Sequence, residues 1–457
     1  MMKLINSLTL NMAAVAAAAM LFIGCSSGDK NEDGPVNPSP NPPAPEVTSK
    51  MPDYVVYEAN PRFFGTENCL NALASNLQRI ANMGCDIVWI MPVCEPGTGP
   101  QSVGSPYCVK NYEAINPKYG TIADLQNLVK SAHGLGLKVI LDWVPNHTAW
   151  DNPWVTEHPD WFMQRNGQII SPPGQNWNDV AQLNYENPEV APAMAEAIKY
   201  WVTTADVDGF RFDYADSPNI PSSFWINLAS DLKALKSDML LLAESSNYSF
   251  YGYGYDMIYD WSSAPTIAKA FTSGRAAPIV EEGVSAWEKV PEGDSILRYV
   301  FNHDTMSENP INSYYGSIDA LPGAYVCTAF LNGTPLIYSG MDASGLTGKQ
   351  SFFNYKTITF NEALTPVYKA INDAYKATNN VRAGSLTDYT TGSICAFTWT
   401  NGSKNLLVVV NCSGNTQDYV TPITLRYTTM NDLINGSSLS IPVTISLPAY
   451  GYAIYAN

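Results

Sequence analysis

Val207-Asp208-Gly209-Phe210-Arg211-Phe212-Asp213 is a short run, largely apolar toward its end, that closes on an acid with a base two places earlier. Its length and aromatic content read as a buried strand. Residues two apart on a strand point to the same side, so Arg211 and Asp213 share a face. Helical patterns flank the run at 190–203 and 222–235. A strand between two helices is the repeating unit of a parallel sheet.

The alternation extends in both directions. Strands are expected at 54–58, 86–91, 137–142, 207–213, 239–244, 257–261, 296–302 and 335–339. Further helices are expected at 70–83, 122–133, 264–273, 324–331 and 364–378. Eight strands with helices between most of them imply an α/β fold, a sheet closed into a (β/α)8 TIM barrel. An open doubly wound sheet is the rival, but no G-x-G-x-x-G follows the first strand. After the third strand comes a long irregular stretch, 145–188, rich in Trp, Pro, Asn and Gly. A loop that long inside a compact fold is usually functional. Beyond about residue 382 no helix intervenes, and strands are expected at 394–399, 406–411, 423–427, 443–447 and 452–455. This tail reads as a small antiparallel β-domain of sandwich type.

The chain has 457 residues, too many for one compact core, and its 46% hydrophobic and 15% charged residues suit a globular protein. A net charge of −17 argues against nucleic acid as a partner, because phosphates would be repelled. Aromatic residues reach 12%, and an open carbohydrate cleft would use some of them against sugar faces, while core packing accounts for most.

Lys3 precedes an apolar run, 12–23, which is too short to span a bilayer comfortably and sits where a secretory signal sits. Its ending, Leu21-Phe22-Ile23-Gly24-Cys25, resembles the lipobox of bacterial lipoproteins. That resemblance implies a signal peptide over 1–25, a lipid on Cys25, and a protein exported and anchored at the cell envelope, on the outer membrane or cell surface. An ordinary signal peptide with an incidental Cys is the alternative. Residues 26–50 are polar and then proline-rich and read as an extended tether. The membrane would be met through the lipid alone. Seven further cysteines are scattered without a CxxC pair, which speaks against a zinc site. Cys85, Cys327 and Cys395 lie in apolar runs and read as buried thiols; a disulfide among Cys69, Cys94 and Cys108 stays open.

Barrels of this type act at the C-terminal ends of their strands. Four ends carry acids: Asp142 in Asp142-Trp143-Val144-Pro145-Asn146-His147, Asp213, Glu244 in Leu242-Ala243-Glu244, and Asp304 in Phe301-Asn302-His303-Asp304. One such acid reads equally well as a helix N-cap. Four, two of them beside Asn-His, point to one cleft. Cleaving a glycosidic bond with retention needs a carboxylate nucleophile and a protonated carboxylic acid about 5–5.5 Å apart. Burial or neighbouring negative charge keeps the acid protonated, and Arg211 would keep Asp213 ionised.

These four strand ends resemble the conserved regions of the α-amylase family of glycoside hydrolases. Gly104-Ser105-Pro106-Tyr107, Asn116-Pro117-Lys118-Tyr119-Gly120-Thr121, Leu183-Asn184-Tyr185 and Gly333-Thr334-Pro335-Leu336-Ile337-Tyr338-Ser339-Gly340 add to the likeness, which spans nearly the whole chain from about residue 52. The resemblance implies a catalytic barrel over 51–144 and 189–381, an inserted domain B over 145–188, and a C-terminal β-domain over 382–457. It implies Asp213 as nucleophile, Glu244 as general acid/base, and Asp304 as the residue that binds and distorts the cleaved sugar. Arg211 would orient Asp213, His147 and His303 would bind sugar hydroxyls, Tyr107 would stack beneath the ring, and Asp142 would support Arg211.

Three departures from the family pattern cover four positions. Asp216-Ser217 stand where Lys-His follow the nucleophile, Gln182 stands where an Asp precedes Leu-Asn, and Asn111 stands where an Asp often precedes Tyr. Asn146 stays as a candidate calcium ligand, but Gln182 and Ser217 argue against the structural calcium that the resemblance implies. The bond-breaking chemistry needs no cofactor. The expected activity is cleavage of α-1,4-glucosidic bonds in starch or maltooligosaccharides through a covalent glycosyl-enzyme. A cyclomaltodextrinase, neopullulanase or transglycosylase would use the same residues. A non-catalytic glucan-binding lipoprotein is the reading from another class, and the retention of Asp213, Glu244 and Asp304 speaks against it.

Overall fold

The computed structural model describes residues 53–457. The signal peptide, the lipid on Cys25 and the tether lie outside the described residues. Among the described residues no helix is long and apolar enough to cross a membrane.

Eight parallel strands close into a barrel: β1 Val56–Ala59, β2 Ile87–Ile90, β3 Lys138–Trp143, β4 Gly209–Phe212, β5 Leu240–Ala243, β6 Met257–Tyr259, β7 Ser295–Tyr299 and β8 Thr334–Tyr338. Their order around the barrel is the order of the chain. All eight are buried along their length apart from the entry of β3 at Lys138, as expected of strands with helices outside and side chains packed within. Gly209 opens β4 because β5 lies so close there: a Cβ would stand 2.0 Å from the Leu240 carbonyl oxygen.

The helices fall where the apolar spacing places them at 122–134, 190–205, 222–235, 263–273 and 364–377. The expected helix at 70–83 is two, Cys69–Ala74 and Leu77–Asn82. Ser75 Oγ and Asn76 Nδ2 donate to the carbonyls of Asn71 and Ala72, a local bonding that competes with helix continuation. Between β5 and β6 only one turn forms, Ser249–Gly252. A helix not expected, Pro278–Trp287, packs through Gly283 against Leu331.

The stretch at 145–188 is less irregular than expected. His147–Ala149 pairs antiparallel with Val180–Gln182, and Gln164–Arg165 pairs with Gln168–Ile169 across Asn166-Gly167. Both turn residues have positive φ, 54° and 74°, the conformation that a two-residue hairpin of this kind requires.

The C-terminal strands are β9 Ser385–Asp388, β10 Ile394–Asn401, β11 Lys404–Asn411, β12 Gln417–Val420, β13 Thr429–Asp432, β14 Ser438–Ser440, β15 Thr444–Leu447 and β16 Tyr452–Ala456. Six form one antiparallel sheet in the order β9-β10-β11-β16-β13-β14, and β12 pairs with β15. The central strands β10 and β11 of the large sheet bury both faces. Phe397, Trp399 and Val408 join the barrel core, while Ile394, Ala396 and Leu407 pack with Tyr419 and Ile445 of the small pair. The strand expected at 423–427 does not form. Pro422 begins a turn there, Tyr427 takes a positive φ of 66°, and Ile423 is 78% exposed. All seven cysteines of the described part are buried and free, so no disulfide joins Cys69, Cys94 and Cys108.

Candidate active site

Strand register brings the charged groups together. Arg211 on β4 sits opposite Asp142 on β3, and side chains opposite each other in adjacent strands share a face. One residue past β4, Asp213 donates its main-chain N–H to the Trp143 carbonyl at 2.8 Å. One residue past β5, Glu244 donates its own to the Phe212 carbonyl at 3.0 Å. The two acids therefore stand side by side at the same barrel rim.

Asp304 arrives differently from expectation. Strand β7 ends at Tyr299, and Asp304 lies in the first turn of the helix His303–Glu308. Asn302 caps that helix reciprocally with Thr305. The cap places His303 beneath the rim and leaves Asp304 43% exposed.

Arg211 is fully buried and holds three carboxylates. Its Nη1 donates to Asp142 Oδ1 at 2.9 Å and to Asp213 Oδ1 at 3.0 Å, and its Nη2 lies 2.6 Å from Glu244 Oε1. The contact to Glu244 is an ion pair rather than an aligned hydrogen bond. Nε donates to Tyr259 Oη at 3.2 Å, and the guanidinium faces the rings of Trp89, Tyr107 and Tyr259. Asp142 Oδ2 accepts from Trp89 Nε1 and from Tyr107 Oη, at 3.2 and 3.0 Å.

Burial shifts these groups strongly. Desolvation pushes Glu244 up to about 8; the Arg211 charge pulls the other way, while Asp213 and Asp304 add to the rise. Asp142 is pushed up to about 7, again first by burial. Glu244 Oε2 accepts a 2.6 Å bond from the main-chain N–H of Tyr214, whose φ of 45° is rare for a side-chain-bearing residue. That strained turn ties the residue after Asp213 to the neighbouring acid.

His303 joins a second buried chain. Its Nδ1 lies 2.6 Å from Glu58 Oε1, and its Nε2 lies 2.8 Å from Tyr107 Oη. Burial alone would lower its pKa, but the charges of Asp304 and Glu58 raise it to about 9. The imidazolium thus carries a second positive charge beneath the acids. Tyr107 stacks on this ring at 5.4 Å between centroids. His147 has both nitrogens engaged as well, Nδ1 with Asn146 Nδ2 and Nε2 with the Tyr107 carbonyl, at 3.1 and 3.2 Å.

These groups line a cleft of about 890 Å³. Of the nine expected residues, Tyr107, His147, Asp213, Glu244, His303 and Asp304 face it. Arg211, Asp142 and Asn146 are buried beneath. The cleft adds Trp177, Tyr214, Trp261, Phe352 and Phe353, which the motifs did not single out, and Asp216, singled out only as a departure from the family pattern. Trp261 is 38% exposed at the end of β6, an aromatic plane left open at a strand end. Glu58 was also missed; its one signal is an acid inside an otherwise apolar first strand.

The Alpha amylase, catalytic domain family matches residues 58–393. The chain belongs to the alpha-amylase family. It is a glycoside hydrolase. This alpha-amylase family member is 23% identical over 427 residues to a cyclomaltodextrinase from Geobacillus thermopakistaniensis, covering 86% of this chain and 71% of that one. It is 25% identical over 426 residues to a maltogenic alpha-amylase from Bacillus acidopullulyticus, with the same coverages. The solved structure of an alpha-amylase from Lactobacillus plantarum aligns with a TM-score of 0.76 at 25% identity, covering 89% of this chain and 99% of that chain.

The oxygen-rich corner around Asn146 does not fit the calcium that the family resemblance implies. The side chain facing Asn146 is the Gln182 carboxamide, which presents N–H groups, where a cation needs only oxygens. Among the described residues no cluster of three or more His, Cys, Asp or Glu is arranged to hold a metal.

Proposed function

We propose that this enzyme cleaves α-1,4-glucosidic bonds of starch and maltooligosaccharides with retention, through a covalent bond between Asp213 and the sugar. The observation that carries the reading is the shared guanidinium: Arg211 reaches Asp213 at 3.0 Å and Glu244 at 2.6 Å. Two acids on one guanidinium favour the short separation of a retaining pair over the wider gap of an inverting one. Asp213 attacks the anomeric carbon as the bond to the leaving oxygen breaks, and the Glu244 proton passes to that oxygen. Glu244, now a carboxylate, takes a proton from water, which attacks the anomeric carbon and frees Asp213. Burial supports the assignment of the acid, since it holds Glu244 above the ordinary carboxylate range. Asp304, the most exposed of the three, binds hydroxyls of the cleaved sugar. Tyr107, His147 and His303 shape the same subsite, and Asp142 with Arg211 holds the acids in place.

A cyclomaltodextrinase, neopullulanase or transglycosylase activity uses the same centre. One observation favours keeping it in view: Asp216 is exposed in the cleft, held by Ser245 Oγ at 2.6 Å. An acceptor-only group there gives the leaving-group side its own hydrogen-bonding character. Products from starch, pullulan, cyclodextrin and sucrose followed over time separate the readings. Short maltooligosaccharides from starch are expected; activity on sucrose alone would overturn the proposal.

The Leu21-Phe22-Ile23-Gly24-Cys25 stretch supports export and a lipid anchor at the cell envelope. Cys25→Ser is expected to move the enzyme from the detergent phase to the aqueous phase, and unchanged partitioning would count against the anchor.

A further inference from the structure

We propose that the Gln182 carboxamide takes the place of a structural cation, clamping the 147–149/180–182 ladder to the end of β3 and orienting His147 through Asn146. Gln182 Nε2 donates to three oxygens: the Asn146 carbonyl at 2.9 Å, the Leu183 carbonyl at 3.0 Å and Asn146 Oδ1 at 3.1 Å. These are hydrogen-bond lengths, longer than the 2.3–2.6 Å of oxygen around calcium. The orientation of the amide follows from its surroundings. Main-chain carbonyls can only accept, so the group facing Asn146 O and Leu183 O must be the NH2. Gln182 Oε1 is then left to accept from Asn146 Nδ2, at 3.2 Å. Ser217 closes the cluster, donating from Oγ to Asn146 Oδ1 at 2.6 Å. Gln182 and Asn146 are fully buried and Ser217 is 4% exposed. Every oxygen that could ligate a cation is thus already bound to an N–H or O–H, and the cluster carries no charge for a cation to balance.

The clamp reaches the cleft through one further bond. With Oδ1 of Asn146 committed to Gln182 and Ser217, its Nδ2 faces His147 Nδ1 at 3.1 Å. That nitrogen must accept, so the ring hydrogen sits on Nε2, which faces the Tyr107 carbonyl at 3.2 Å. His147 is therefore neutral, with its tautomer set from Gln182. Gln182 is a positioning residue that touches no substrate.

Thermal melts with metal analysis test the clamp. The wild-type chain, purified without added metal, is expected to contain no stoichiometric calcium, and its Tm should move by less than about 1 °C between excess EDTA and millimolar Ca²⁺. Gln182→Glu makes the same site acceptor-only and charged. In EDTA its Tm should fall by about 5 °C or more, and Ca²⁺ should restore it. The four His of the chain allow ring ¹⁵N labelling, with His147→Gln assigning the signal. Wild type should show hydrogen on Nε2 and none on Nδ1. Bound calcium in the wild type, an EDTA-induced fall in its Tm, or a hydrogen on Nδ1 would each overturn the proposal. Should Gln182→Glu fail to fold, the wild-type measurements decide alone.

Discussion

Asp213→Asn is expected to lower kcat on starch by about 10⁴-fold or more, because no other group can form the covalent bond to the sugar. Glu244→Gln is expected to lose about 10²- to 10⁴-fold on the same substrate, the range for a missing general acid. The two losses should part company on an aryl α-maltoside with an acidic phenol. That leaving group departs without a proton, so Glu244→Gln should form its covalent intermediate almost normally, while Asp213→Asn stays inactive. Azide attacks the intermediate without a general base and should restore turnover to Glu244→Gln alone, giving a glycosyl azide. Neither change should unfold the protein. The amide introduced by Asp213→Asn keeps an oxygen for Arg211 Nη1, and the neutral amide introduced by Glu244→Gln relieves the desolvation that pushes the Glu244 carboxyl up. Equal losses on starch and on the aryl substrate for both variants would refute the division of roles.

What could be read in the chain differs by kind of interaction. The barrel was legible because each strand is a short apolar run bounded by helical spacing, a signal local to ten or so residues. The acids at the rim were legible because Asp213 and Glu244 follow directly on such runs. Asp304 was found, but its seat was not. Phe301-Asn302 continues an apolar run and hides the Asn302–Thr305 cap that turns the chain into a helix. Helix 278–287 was hidden by Pro278 at its start and Gly283 within it, both weak helix signals taken singly. The strand expected at 423–427 shows the opposite error, since its apolar residues are exposed on a turn that Pro422 begins. The polar strands β9, β13 and β14 carry one apolar residue each, Leu386, Met430 and Leu439, too few to read as strands. Glu58 lies 245 positions from its partner His303, and Gln182 lies 36 from Asn146. Such pairs exist only once the barrel has closed. A departure from a motif, as at Gln182, shows that something changed; only the geometry shows what replaced it.

Arg211→Met should be the most damaging single change to stability in the site. It removes the one guanidinium shared by Asp142, Asp213 and Glu244, whose side chains are 0%, 14% and 13% exposed. Breaking a buried ion pair costs about 3–5 kcal/mol, because the remaining charge is left uncompensated. Activity should fall by about 10²-fold or more in the same variant, since Asp213 loses the guanidinium that holds it at 3.0 Å. The loss of stability should depend on pH in a defined direction. Asp142 and Glu244 are raised in the folded protein, to about 7 and about 8, above their ordinary values of 3.8 and 4.5. A group raised on folding favours the folded state below its unfolded pKa, and that contribution is lost as pH rises through the folded value. Without Arg211 both folded values climb further, so the penalty for ionising each acid at neutral pH grows. Urea denaturation at pH 5 and pH 8 should show a larger gap between Arg211→Met and wild type at pH 8. Arg211→Lys should recover part of the stability but less of the activity, because one ammonium cannot span three carboxylates as the planar fork does. A gap of equal size at both pH values would mean that these carboxylates do not depend on Arg211 for their charge.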